Sequence, residues 1–235
     1  MRRSYIVLGS KSWNRTTFDG AISRLPGEWH FMSSPDELTI DAIKQISPDK
    51  LFFLHWSWRV PGEIFNTFEC VNFHMTDVPF GRGGSPLQNL IIRGHTDTQL
   101  SALRMTEGWD SGAVYLKKPL SLDGPAHEIL KRASALSGAM IEEILRSDIK
   151  PRPQEGDATV FRRRTPDESR LPADLSVERM YDFIRMLDGE GYPPAFIERD
   201  GFRYEFTGAN LTDKNLFANV AITALTDSAS PSTEK

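Results

Sequence analysis

Short apolar runs alternate with longer amphipathic stretches along the first 150 residues of the sequence. The runs at residues 5–9, 29–32, 50–58 and 70–74 are mostly apolar and indicate strands, and the run at 5–9 is continuously apolar, as is typical of a parallel strand covered by helices on both faces. The stretches at residues 16–24, 34–46, 61–65 and 85–93 carry helical spacing or helix start signals. This alternation predicts an α/β fold with a mostly parallel sheet flanked by helices.

In the second half of the sequence, the predicted strands and helices no longer alternate one by one. Residues 98–106 and 113–118 are predicted strands, and a long amphipathic helix is predicted from Gly124 through Arg146. A linker at 150–156 and a basic segment at 161–166 then precede a helix at 176–187 and a hairpin at 195–206. We therefore predict a catalytic domain over residues 1–148, a small α+β subdomain over 149–225, and a disordered polar tail over 226–235.

Composition narrows the classes of function. The chain has 235 residues, 39% hydrophobic and 26% charged, with a formal net charge of -4 and a pI near 5.8. Such a balance gives no overall attraction to nucleic acid, so we expect no nucleic-acid partner. Cys70 is the only cysteine, which excludes a disulfide framework, and we expect it to pack in the core. No apolar run reaches the roughly 18 residues of a membrane span, so a cytoplasmic location without a membrane partner is predicted.

Three polar side chains occur where two predicted strands end. Asn72 and His74 lie in the apolar run at 70–74, which is followed by a loop rich in proline and glycine at 79–86. Asp110 lies in a glycine-flanked turn between the next two strands. An amide can donate to a developing oxyanion, and an imidazole beside a carboxylate can exchange a proton. Whether His74 or Asp110 takes the proton stays open.

Asn-x-His, the following Pro/Gly loop and the later Glu-Gly-x-Asp-Ser-Gly resemble the N10-formyltetrahydrofolate-dependent formyltransferase family over roughly residues 50–145. The family's usual His-Pro-Ser-Leu-Leu-Pro is replaced here by the sequence His-Met-Thr-Asp-Val-Pro at 74–79. The resemblance implies a Rossmann-like core, catalysis by Asn72, His74 and Asp110, N10-formyltetrahydrofolate as formyl donor, and no metal. It also implies that two loops hold the folate, with cofactor-binding residues Phe80, Gly81, Arg82, Gly83, Gly84, Gln88, Glu107, Gly108 and Trp109.

Residues 181–206 resemble the sugar N-formyltransferases, which formylate dTDP-linked amino-dideoxysugars. This implies dTDP-4-amino-4,6-dideoxyglucose as acceptor, in lipopolysaccharide or another cell-surface glycan pathway. The alternatives are a dTDP-3-amino sugar, glycinamide ribonucleotide, methionyl-tRNA, or a non-catalytic folate- or nucleotide-binding protein. The candidate substrate-binding residues are Ser10, Lys11, Trp13, Asn14, Trp56, Trp58, Met75 and Thr76.

Different observations point to the individual candidates for binding the acceptor. Ser10, Lys11 and Asn14 follow the first predicted strand, where ligands bind in doubly wound sheets. Lys11, Arg15 and Arg82 are candidates for the pyrophosphate, and Trp13, Trp58 or Phe80 for stacking on thymine. His55 and Trp56 either line the site or pack in the core. The edge strand and aromatic residues of the C-terminal hairpin make a homodimer plausible.

Overall fold

The computed structural model describes residues 3–213 and 215–225. In these residues the strands are β1 (Ser4–Leu8), β2 (Glu28–Met32), β3 (Lys50–Phe53), β4 (Cys70–His74), β5 (Arg82–Gly83), β6 (Asp97–Arg104), β7 (Val114–Ser121), β8 (Val160–Phe161), β9 (Ala195–Arg199), β10 (Phe202–Leu211) and β11 (Leu216–Ala224). The α-helices are α1 (Ser12–Gly20), α2 (Ile40–Ile46), α3 (Gly62–Thr67), α4 (Pro86–Ile92), α5 (Ala126–Arg146) and α6 (Val177–Arg185). None of these described helices combines the length and apolar character that a membrane crossing requires.

The main sheet has six strands in the order β2-β1-β3-β4-β6-β7. The first four strands run parallel to one another, and β6 and β7 continue the sheet in antiparallel pairing. The predicted α/β fold with a mostly parallel, helix-flanked sheet is thereby confirmed. The antiparallel step next to β4 matters for the site, because it places the β6–β7 loop beside that strand.

Alternate residues of β1 belong to two separate cores. Tyr5 and Val7 pack in a core that includes α4 and α5, whereas Ile6 and Leu8 pack in a second core with residues of α2 and α3. A strand covered on both faces must be apolar at every position. Burial on both faces is the physical reason for the continuous apolar runs in the sequence.

The C-terminal residues form a second, three-stranded antiparallel sheet in the order β11-β10-β9. The predicted hairpin is confirmed, and its turn contains Asp200 and Gly201, both with positive φ. The third strand, β11, was not predicted. The division into domains at residue 148 stays a prediction, and the predicted disordered tail lies outside the described residues.

Residues 150–161, which include the predicted linker, pair with two loops of the main domain. Arg152 exchanges backbone hydrogen bonds with Val114 at the start of β7. Further along, β8 pairs in parallel with β5 in the glycine-rich loop. We call residues 150–161 the strap, because they cross over the loops on either side of Asp110.

Two element boundaries differ from the prediction for identifiable reasons. Strand β3 ends at Phe53, because the chain turns at His55, whose φ of 49° lies in the left-handed region. Trp56 and Trp58 therefore lie in a loop rather than on opposite faces of a strand. Helix α1 begins at Ser12, earlier than expected, where Asn14 Oδ1 accepts a hydrogen bond from the Lys11 backbone N–H at 3.1 Å and stabilises the first turn.

Candidate active site

Asn72, His74 and Asp110 meet over one face of β4. Asn72 and His74 are two residues apart on the strand and so point to the same side. The β6–β7 loop folds back over this face and brings Asp110 to both side chains. Asn72 Nδ2 donates to Asp110 Oδ1 at 3.0 Å, and His74 Nδ1 lies 3.4 Å from Asp110 Oδ2. The three predicted catalytic side chains thus form one connected group.

The tautomer of His74 follows from its second contact. Its Nε2 lies 2.8 Å from the carbonyl oxygen of Gly81, and a carbonyl can only accept. Nε2 therefore carries a hydrogen, and in the neutral ring the lone pair is on Nδ1, facing Asp110. The ring is buried, with 7% of the residue exposed, so its orientation is fixed.

Hydrogen bonds and the backbone of its turn fix the position of the Asp110 carboxylate. Its Oδ2 also accepts a hydrogen bond from the Gly83 backbone N–H at 3.0 Å, so both carboxylate oxygens have donors. The residue has a φ of 47°, which is costly for a side chain other than glycine. Gly112 closes the same turn, and a Cβ there would lie 1.7 Å from the carbonyl oxygen of Arg104. The turn is therefore built for one orientation of Asp110.

The group formed by Asn72, His74 and Asp110 borders a cavity of about 840 Å³. Residues 53–60, 83–86 and 104–110 line it, together with Ala133, Ser134 and Ser137 of α5. Trp56 and Trp58 meet edge to face with ring centroids 4.8 Å apart, and Trp109 is 73% exposed. A cavity of this size, with aromatic walls and convergent polar groups, is typical of a small-molecule site.

The predicted cofactor-binding residues divide between the cavity and its support. Gly83, Gly84, Glu107, Gly108 and Trp109 line the cavity. Phe80 packs edge to face on Phe161, and Gln88 donates to the Met186 carbonyl oxygen. Gly81 accepts from His74, and Arg82 bonds to Gln154. The cofactor assignment of all nine residues stays a prediction.

The predicted substrate-binding residues divide in the same way. Asn14, Trp56, Trp58 and Met75 line the cavity. Lys11 lies nearby, with Nζ 3.5 Å from Glu190, and Ser10 precedes it in the connection between β1 and α1. Trp13 packs in the core and Thr76 is fully buried. Both polar groups of the Asn14 amide are already used, with Lys11 N and Ser134 Oγ as their partners.

Two titratable groups near the site have shifted pKa values. Burial and the neighbouring Lys11 ammonium lower the pKa of His55, which lines the cavity, to about 4, so this imidazole is neutral at pH 7. Burial raises the pKa of the Cys70 thiol to about 12. Because a thiol in that state is not nucleophilic, the position of Cys70 agrees with the predicted packing role.

Three residues at the site were not assigned a role from the sequence. Gln154 in the strap bonds to the backbone of Asp110, and Arg163 and Tyr192 line the cavity. Arg163 had a visible signal, the basic run at 162–164, whereas Gln154 had none in its Pro/Gly-rich surroundings. Within residues 3–213 and 215–225 there is no group of three or more His, Cys, Asp or Glu side chains arranged to hold a metal ion.

Comparison with known proteins connects this geometry with one family. A model described as the methionyl-tRNA formyltransferase C-terminal domain matches residues 166–223. A solved structure of methionyl-tRNA formyltransferase from Clostridium thermocellum is 44% identical, with a TM-score of 0.89 over 94% of this chain and 99% of that one. A solved 4-N formyltransferase from Francisella tularensis is 14% identical, with a TM-score of 0.66 over 84% of this chain and 93% of that one, and so shares the fold.

Curated relatives agree with this assignment. A methionyl-tRNA formyltransferase from Ehrlichia ruminantium is 28% identical over 179 residues, which are 72% of this chain and 56% of that protein. The chain thus spans little more than half the length of the curated relative. The identity to the Clostridium structure extends over nearly the whole of both chains. The protein therefore belongs to the formyltransferase family.

Proposed function

We propose that this protein transfers the formyl group of N10-formyltetrahydrofolate to a primary amine. The observation that carries the proposal is the convergence of Asn72, His74 and Asp110 at the edge of the cavity, where Asn72 donates to Asp110 and His74 Nδ1 lies 3.4 Å from Asp110 Oδ2. Membership of the formyltransferase family supports the same reaction. The cavity volume of about 840 Å³ lies within the range of ligand-binding clefts.

In the proposed reaction the amine nitrogen attacks the formyl carbon, and the formyl oxygen becomes an oxyanion. The bond between the formyl carbon and N10 of the folate then breaks. Asn72 has one N–H directed at Asp110, which leaves its second N–H for the oxyanion. A neutral amide suits this role, because it donates without changing its own protonation.

The amine must also lose a proton. His74 Nδ1 holds the free lone pair of the neutral ring, and the Asp110 carboxylate beside it stabilises the imidazolium that forms. The same proton then returns to N10 of the leaving tetrahydrofolate. Both oxygens of Asp110 accept hydrogen bonds, which suits an orienting role. We therefore assign the proton to His74 and the orientation of the ring to Asp110.

The comparisons support methionyl-tRNA as the acceptor over the amino sugar that the sequence favours. The two proteins at 28% and 44% identity both carry the name methionyl-tRNA formyltransferase, as does the domain model that matches residues 166–223. The sugar-type neighbour agrees in fold alone. We therefore put methionyl-tRNA, one of the alternatives left open by the sequence, first among the acceptors.

A nucleotide-linked amino sugar is the second candidate, on the basis of charge. Acidic residues outnumber basic ones in residues 149–225, and the whole chain has a net charge of -4. Binding to a tRNA backbone requires neutralisation of several phosphates by Lys and Arg, whereas a sugar nucleotide carries only a pyrophosphate. This observation favours the smaller acceptor.

The test is turnover of purified protein with N10-formyltetrahydrofolate and each acceptor, followed by release of tetrahydrofolate. The acceptors are methionyl-tRNA, dTDP-4-amino-4,6-dideoxyglucose, a dTDP-3-amino sugar and glycinamide ribonucleotide. Formylation of methionyl-tRNA is the expected result, and formylation of a sugar alone would reverse the order of the two candidates. Folate binding without turnover of any acceptor would overturn the proposed reaction.

The catalytic assignment has its own test. Replacement of His74 or Asp110 by alanine removes the proton acceptor or its orienting carboxylate, so we expect kcat to fall by about 10²-fold or more. The matched control is His95→Ala, because His95 is exposed and outside the cavity lining. Circular dichroism should show that each variant keeps the fold. Near-normal kcat in either catalytic variant would contradict the assignment.

A further inference from the structure

The side chain of Gln154 is the point at which the strap contacts the catalytic loop. From residue 152 to residue 160 it is the only residue that is not exposed. Its Nε2 donates to the carbonyl oxygens of Asp110 at 2.7 Å and Gly112 at 2.8 Å. Both acceptors belong to the turn that presents the Asp110 carboxylate.

The other end of the same amide binds the glycine-rich loop. Arg82 donates to Gln154 Oε1 through Nε at 3.1 Å and Nη2 at 2.8 Å. Among the described residues, Arg82 has no carboxylate within ion-pair distance, so the amide is its polar anchor. The four bonds use both donors of the amide and both lone pairs of its oxygen. No other standard side chain of this length offers the same pattern.

The strap is fixed on both sides of this contact. Arg152 bonds to Val114 on one side, and on the other Thr159 Oγ1 accepts from the Gly81 backbone N–H at 2.7 Å. Gly81 supplies the carbonyl that orients His74, and Gly83 supplies the N–H that binds Asp110. The strap therefore contacts each loop that orients a catalytic side chain.

We propose that Gln154 is a positioning residue for catalysis, which locks the Asp110 turn to the glycine-rich loop through Arg82. This inference rests on the proposed function, because its effect is exerted through Asp110 and His74. The turn contains a non-glycine residue at φ 47°, a conformation that surrounding contacts must maintain. Without the amide, the carboxylate is free to leave the position from which it orients the imidazole.

The first experiment compares Gln154→Ala with wild type and with Glu155→Ala, an exposed neighbour that serves as control. A displacement of about 1 Å at a reacting group costs about 10²-fold in rate, so we expect kcat to fall by about 10- to 100-fold. The loss in kcat should exceed any rise in the KM for the folate, because the two loops that Gln154 joins are also the predicted folate-binding loops. A lower melting temperature with wild-type kcat would overturn the proposal, because it would reduce Gln154 to a structural anchor.

A second variant, Gln154→Glu, separates the two ends of the amide. The carboxylate keeps the acceptor for Arg82 and the side-chain volume, but it loses both donors to the Asp110 and Gly112 carbonyl oxygens. We expect kcat to fall as much as in Gln154→Ala. Wild-type kcat in Gln154→Glu would overturn the proposal even if Gln154→Ala does not fold.

A double-mutant cycle tests the path through Arg82. If Arg82 and Gln154 act as one unit, the double alanine variant should lose about as much kcat as either single variant. Multiplicative losses would mean that the two residues act independently, which contradicts the proposed lock.

One readout does not depend on turnover. The ring ¹⁵N resonances of His74 should shift in Gln154→Ala relative to wild type, because the neighbouring carboxylate moves. Unchanged resonances would overturn the positioning role. An inactive wild-type protein whose His74 resonances respond to Gln154→Ala would instead refute the proposed function and leave the lock in place.

Discussion

Three consecutive arginines, at positions 162–164, have different surroundings. Arg162 Nη2 pairs with Glu168 Oε1 at 2.7 Å, and the Arg164 guanidinium lies 5.7 Å from the ring centroid of Phe183. Arg163 is exposed and lines the cavity, and no hydrogen bond or ion pair within residues 3–213 and 215–225 engages its guanidinium. An unpaired guanidinium at a cavity wall is suited to an anionic group on the acceptor.

Arg163→Ala should raise the KM of a phosphate-bearing acceptor by about tenfold, which corresponds to the loss of one charge-assisted hydrogen bond. The KM of the folate should not change. Steady-state kinetics with either substrate varied will measure both values. Arg162→Ala is the control, because Arg162 is exposed and paired; an equal effect in both variants would indicate general loss of positive charge rather than a specific contact.

His55 gives a pH dependence whose sign can be worked out. Burial lowers its pKa to about 4, below the value near 6.5 of an unfolded chain. The unfolded state then binds more protons between these values, so stability from His55 is complete above about pH 6.5 and is lost as the pH falls towards 4. Urea unfolding across this range should show the decline in wild type and a smaller one in His55→Gln. Equal slopes would mean that His55 is not buried as a neutral ring.

The sequence predicts some residues of the site better than others. Asn72 and His74 are two apart on a strand, so their common face follows from the period of a strand, and the family resemblance adds Asp110. The contact of Gln154 with Asp110 joins residues 44 apart through a segment with no periodicity. Such a contact depends on tertiary structure, and local patterns carry no signal for it.

At the scale of whole elements, close backbone approach explains why the glycine-rich loop has its composition. Gly84 contacts the strap's continuation directly, since a Cβ there would lie 2.5 Å from Arg163 Cα. Gly84 N also donates to the Phe161 carbonyl oxygen at 3.0 Å. The β5–β8 pairing thus requires a residue without a side chain at this position.

Gly84→Ala should therefore lower the free energy of unfolding by about 1–3 kcal/mol, as overpacking does elsewhere. It should also lower kcat, because the neighbouring Gly83 binds Asp110. Gly20→Ala is the control, since nothing lies within 4 Å of a Cβ at that position. Denaturant titration of both variants measures the difference, and equal stability would show that β5 and β8 do not pack as described.

Elements with their own periodicity were predicted well, whereas Ser34 begins only a 3-10 turn at Pro35–Glu37 and α2 starts later, at Ile40. Strand β4 has the predicted bounds, and α5 ends at Arg146 as predicted, because its apolar residues keep helical spacing. Strand β3 was predicted too long because no Gly or Pro marks the turn at His55. Strand β11 was missed because most of its residues are exposed, so no alternation of apolar and polar positions identifies it.

At the scale of the whole molecule, β11 is an open edge. It is the outer strand of the C-terminal sheet, and Phe217, Val220 and Ile222 are 58%, 46% and 60% exposed. An exposed apolar edge strand is a surface that another chain can extend. The homodimer expected from the sequence stays a prediction, and β11 is where we place its interface.

The double variant Val220→Lys/Ile222→Lys should convert the dimer to a monomer, because two like charges would face their copies across a two-fold axis. Light scattering after gel filtration measures the mass. Thr223→Lys is the control, on the same strand but outside the apolar set. A wild-type protein that is monomeric at all concentrations would contradict the prediction.

The cavity also has a consequence for the order in which the two substrates bind and react. Asn72, His74 and Asp110 border a single cavity, which the glycine-rich loop and Arg163 also line. Cys70 is buried within β4, and its thiol does not reach this space as a nucleophile. Because the chain has no other cysteine, we expect direct transfer of the formyl group, with donor and acceptor bound at the same moment. Initial rates should accordingly give intersecting double-reciprocal lines, and parallel lines would mean that the protein itself is formylated in between.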